Sequence, residues 1–78
     1  MRQKQFLSET DLIALAKKFR TRAGKTRAQA ARDMGVAQTS IFNAEESPEQ
    51  SLSKLRMRMI ETYSPFKVTG PVYYLAKK

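Results

Sequence analysis

The sequence predicts a small, mainly α protein, four to five helices in one bundle followed by a short extended or β tail. Three observations carry that prediction. Apolar residues recur at helical spacing along residues 12–23. Gly24, Gly35, Pro48 and Pro65 cut the remainder into short segments, most of which open on a capping residue. After Pro65 the composition changes to β-branched and aromatic residues around Gly70-Pro71. Residues 1–64 are therefore expected to form the helical domain and residues 65–78 the tail. A chain of 78 residues holds one domain, and at this size only about 60% of the unfolded surface is buried.

The first helix follows from Leu12, Leu15, Ala16, Phe19 and Ala23, an i, i+3, i+4, i+7 stripe with Ile13 beside it. Ser8 or Thr10 can cap it, Glu9 and Asp11 suit its first turn, and Gly24 can end it in the left-handed region. A second helix over about residues 27–34 opens on a capping box, Thr26-Arg27-Ala28-Gln29. Small residues at Ala28, Ala30 and Ala31 allow a close helix approach, and Gly35 stops the segment. Residues 38–46 form a third short helix with Ile41 and Ala44 inward. Ser51 is expected to cap a fourth, with Leu52, Leu55, Met59, Ile60 and Tyr63 on one face and Pro65 closing it. The tail Phe66–Leu75 reads as one or two short strands.

Fifteen Lys and Arg against seven Asp and Glu give a net charge of +8, which favours a polyanionic partner, nucleic acid or an anionic membrane. The charge is uneven: residues 1–35 carry nine basic and three acidic groups, and Lys17–Arg32 holds seven basic residues and no acid. With no Cys and no His, disulfides, thiol chemistry, Cys/His zinc sites and histidine triads are excluded. No cofactor is expected, and enzymatic activity is not: Glu45, Glu46 and Glu49 lie at spacings better explained by solvation and ion pairing. The longest apolar run, Leu12–Ala16, is far short of the roughly 20 residues that span a bilayer. The absence of cysteine points to a reducing compartment, the cytoplasm.

Two short helices joined at a glycine, the first rich in alanine, describe a helix-turn-helix over residues 27–46. Ala31 lies where the helices cross, Gly35 takes the turn, and Ala30, Met34, Val36, Ile41 and Ala44 close the shared core. On these residues the sequence resembles the phage Cro/cI-type repressor domains, the lambda-repressor-like or XRE-like helix-turn-helix family. The likeness covers roughly residues 10–63. It runs through Arg20-x-x-x-Gly24-x-Thr26 and Ala30-Ala31-x-x-Met34-Gly35-Val36-x-Gln38-x-x-Ile41-x-x-x-Glu45.

The resemblance implies a lambda-repressor-like bundle that binds a pseudo-palindromic operator in double-stranded DNA as a dimer, with the third helix in the major groove. It maps base reading onto Gln38 and Thr39, with Asn43 one turn later. The chemistry agrees, because Gln and Asn bond adenine in a bidentate way and Thr can touch a thymine methyl. The plainer alternative is that these three are polar surface. Phe42 departs from the family, which commonly has a polar residue there; it either contacts thymine methyl groups or fills a patch against Pro48. Ser40 is expected to meet phosphate.

Arg20 and Glu45 match positions that often form a buried ion pair in the family. Lys17, Lys18, Arg22, Lys25, Arg27 and Arg32 remain for the phosphate backbone. Arg27 stands where the family usually has a Gln that buttresses the first reading residue, and Ala37 stands where a capping Ser or Thr is common. Some Cro-like proteins pair a C-terminal strand across a dimer, and Val72, Tyr73, Tyr74 and Leu75 suit such a strand; the alternative is that they fold back on their own bundle. Functionally, the expectation is a nucleoid-associated transcription regulator, most simply a repressor. An antitoxin-like adaptor that also binds a protein through the tail, or a non-specific nucleic-acid module, are the alternatives.

Overall fold

The computed structural model describes residues 6–69 and 73–78. Four helices are followed by a two-stranded antiparallel hairpin: α1 (Glu9–Arg22), α2 (Arg27–Met34), α3 (Gln38–Glu46), α4 (Ser53–Tyr63), β1 (Phe66–Thr69) and β2 (Tyr74–Lys77). The expected mainly α bundle with a β tail is borne out. No helix among the described residues is long and apolar enough to cross a membrane.

Ser8, not Thr10, caps α1. Its hydroxyl accepts from the Asp11 amide, and the Asp11 carboxylate accepts from the Ser8 amide, so the box satisfies two free N–H groups at once. The same reciprocal pair at Thr26 and Gln29 opens α2. Gly24 and Gly35 both sit at positive φ, 73° and 71°, where a side chain is strained. The start of α4 corrects the sequence reading. Ser51 does not cap it; Leu52 holds the N-cap position with no side-chain bond to the helix amides. Instead the Ser53 hydroxyl donates to the Glu9 carboxylate, so α4 is tied across to the first turn of α1.

The core gathers Leu12, Ala16 and Phe19 of α1, Ala30, Ala31 and Met34 of α2, Ile41 and Ala44 of α3, and Met59 and Ile60 of α4. Val68 of β1 belongs to the same cluster, so the tail is packed into the bundle. β1 and β2 pair with Phe66 opposite Lys77 and Thr69 opposite Tyr74. Within the chain the tail folds back: Tyr74 and Leu75 pair with β1. Tyr73 bridges Leu7, whose amide donates to the Tyr73 carbonyl at 2.6 Å. Val72 lies outside the described residues.

Arg56 is the largest of the fully buried side chains. Its Nε donates to the Ala44 carbonyl at 2.9 Å, and its terminal nitrogens reach the carbonyls of Ser47 and Gln50 and the carboxylate of Glu9. Four of five guanidinium N–H groups are thereby used. The cation closes the carboxyl end of α3, where the last carbonyls lack helical partners and the helix dipole is negative. Two residues on, Arg58 donates to the Met34 carbonyl at the end of α2. One helix thus supplies the terminal caps for two others.

Candidate nucleic-acid interface

The site is built on α2, the Gly35 turn and α3. Val36 donates to the Ala31 carbonyl at 3.0 Å across the turn, and buried Ala30, Ala31, Ile41 and Ala44 let the helices approach closely. As the sequence implies, α3 starts at Ala37 without a side-chain cap. Helical spacing then divides α3 sharply. Ile41, Ala44 and Glu45 face inward, while Gln38, Thr39, Phe42 and Glu46 are exposed. Gln38, Thr39 and Phe42 line a shallow surface hollow. Asn43 stands half-buried at the margin, where its carbonyl oxygen accepts from the Ser47 hydroxyl at 3.4 Å.

Charge holds this face to the rest of the bundle. Arg20 and Glu45 form a two-point ion pair: Nε to Oε2 at 2.5 Å and a terminal nitrogen to Oε1 at 3.0 Å. Arg20 also donates to the Lys25 carbonyl, which fixes the joint between α1 and α2. Arg27 adds a second cation to Glu45 at 2.9 Å and reaches Glu46 at 2.7 Å. Lys17 donates to Glu46 at 3.0 Å. These five side chains carry three positive and two negative charges, so a dense network presents a small net charge.

The electrostatic consequences are directional. Hydrogen bonding by Lys17, with lesser contributions from Arg27, holds the Glu46 carboxyl below its ordinary pKa. The bond to Glu45 raises Arg27 further above its already high value, so it stays charged. The Arg27 guanidinium also lies over the Phe42 ring, 4.9 Å from the centroid. Of the two sequence readings of Phe42, the structure adds a third neighbour, this cation.

The six basic residues expected to meet phosphate do not come together. Lys17 and Arg27 border α3 and are engaged there. Lys25 lies 3.6 Å from Asp33, which also accepts from the Tyr63 hydroxyl at 2.7 Å. Arg32 is exposed on α2. Lys18 lines a hollow with Phe6 and Leu7, and Arg22 lines another with Tyr63 and Phe66, both on the side of the hairpin. Ser40 also turns away from Gln38. It lies in an apolar groove with Val36, Leu52, Leu55 and Tyr73.

Three contributors escaped the sequence reading. Glu46 ends α3 on its exposed face, four residues from Phe42, a spacing that signals it. Arg56 lies four residues from both Leu52 and Ile60, inside the apolar stripe, which was its signal. Arg58 gave none. No protein-family model matches this chain, and neither the curated proteins nor the solved structures contain a match.

Proposed function

We propose that this protein is a sequence-specific double-stranded DNA-binding regulator, most simply a repressor that occludes a promoter by binding a pseudo-palindromic operator as a homodimer. The observation that carries the reading is the face of α3: Gln38 and Thr39, uncharged hydrogen-bonding side chains, stand exposed at its amino end beside Phe42. A major groove about 12 Å wide admits such a helix, and its base edges match these groups. The net charge of +8 supplies the attraction to phosphate that any such reader needs. Lys17, Lys25 and Arg32 are the nearest candidates for phosphate contact, while Lys18 and Arg22 add to the general field.

Selection of bound sites from random duplexes tests the reading. A palindromic consensus with half-sites about 34–36 Å apart is the expected result. Affinity for the selected duplex should fall steeply with salt. Gln38→Ala should lower it by about 1–3 kcal/mol and relax one base preference without flattening the salt slope. If Gln38→Ala, Thr39→Ala and Asn43→Ala all bind the operator as the unchanged protein does, the assignment of α3 fails.

A second reading, an adaptor that also holds a partner protein, is favoured by the apolar groove around Leu52, Leu55 and Tyr73. Leu55→Lys should then abolish partner binding and leave the DNA consensus intact.

A further inference from the structure

Phe42 is one of the few large apolar side chains left exposed, at 46%, and its surroundings are ordered. One face of the ring meets the Arg27 guanidinium, which is itself fixed by Glu45 and Glu46. Gln38 and Thr39 flank it. A planar cation over an aromatic face holds the ring in place. The two carboxylates take two of its five guanidinium N–H groups and fix where the cation sits, against the ring.

From this geometry we infer that Phe42 selects a thymine through its C5-methyl group, and that Arg27 is a positioning residue for that ring, not a phosphate ligand. The inference rests on the DNA-reading function proposed above. Its chemical ground is that the thymine methyl is the one apolar group that unmodified base edges present in the major groove. A ring held on the same face as Gln38 and Thr39 would meet it while they bond neighbouring bases. Glu46, otherwise a repulsive charge on a DNA-facing helix, has a purpose here: it anchors the far side of Arg27.

The test uses the full chain and synthetic duplexes of the selected site in which each thymine in turn is replaced by uracil, removing only the methyl. Affinity should fall about fourfold at one thymine per half-site, the equivalent of one buried methyl group. Phe42→Ala should bind the thymine and uracil duplexes equally. Arg27→Gln and Arg27→Lys should both shrink the discrimination below twofold, the second despite keeping its charge, while neither lowers the salt slope. Thermal unfolding of each variant separates a lost fold from a lost contact. Selective binding with no uracil effect at any position overturns this proposal alone. So does full discrimination in Arg27→Lys, or a salt slope reduced by about one in Arg27→Gln with discrimination intact. Binding without sequence preference would remove the DNA-reading function itself, and this inference with it.

Discussion

Two charged clusters hold α3, one reaching the surface and one around a buried cation. On the side of α1 and α2, Arg20, Arg27 and Lys17 meet Glu45 and Glu46, charge against charge. On the side of α4, Arg56 meets three carbonyls and one carboxylate, Glu9, whose side chain is 41% exposed. The first cluster pairs most of its charge, with one positive charge in excess, and leaves the face of Gln38, Thr39 and Phe42 outward. The second spends a buried cation on peptide dipoles and fixes the loop that follows α3. Paired charges orient α3; a cation on carbonyls ends it.

The difference should show in stability. Arg56→Met should cost about 3–5 kcal/mol in urea unfolding, because the Ala44 carbonyl loses its donor inside the core and those of Ser47 and Gln50 lose theirs at its margin. Glu45→Gln keeps acceptors for Arg20 and Arg27 but deletes the charge, and about 2–3 kcal/mol is expected. Double-mutant cycles sharpen the contrast. Arg20 with Glu45 should couple by about 1.5–3 kcal/mol, whereas Arg56 with Glu9 should couple by less than about 1 kcal/mol, since solvent screens an exposed carboxylate. Equal coupling in the two cycles would erase the distinction.

Much of the fold and part of the site were legible from the chain. The capping boxes at Ser8 and Thr26 and the glycines at 24 and 35 are local devices, and local devices leave local signatures. The exposure of Gln38 and Thr39 was legible for the same reason, one turn beyond a glycine on a helix of known inner face. Arg56 was legible only as a charge inside the apolar stripe; its bonds were not, since a cation on carbonyls needs no acidic partner at any particular position. The hairpin side of Lys18 and Arg22 was equally hidden: along the chain they belong to one basic run, but a rotation of 100° per residue sends them away from Lys17.

Smaller effects probe the periphery of the two clusters. Tyr63 donates to Asp33 at the far end of α4, and burial, then that bond, raises its pKa well above the ordinary 10.0. The folded state therefore keeps the proton longer than the unfolded one. Its contribution is complete below about pH 10 and is lost as pH rises through the raised value. Ultraviolet titration of Tyr63→Phe against the unchanged protein should reveal one late-ionising tyrosine. Glu46 and Asp33 behave in the opposite sense. The Lys17 bond and the Tyr63 bond, respectively, lower their pKa values, so their contributions are complete above the ordinary 4.5 and 3.8 and fade as pH falls below them. Urea midpoints between neutral and acid pH should track that loss, and Glu46→Gln should flatten part of it. Finally, Ala37→Ser supplies the missing cap of α3 and should stabilise by about 1 kcal/mol.

The bridge between Leu7 and Tyr73 has a consequence for how the chain is made. Each helix can form from residues close in sequence, quickly and while synthesis continues. The segment entering α1 has no strand to meet until Tyr73 has left the ribosome, and Val68 fills its place in the core only shortly before. A nascent chain halted after α4 would display the apolar surface meant for Val68 and would be a substrate for chaperones. Completion of the hairpin is therefore the event that closes the core of four associated helices.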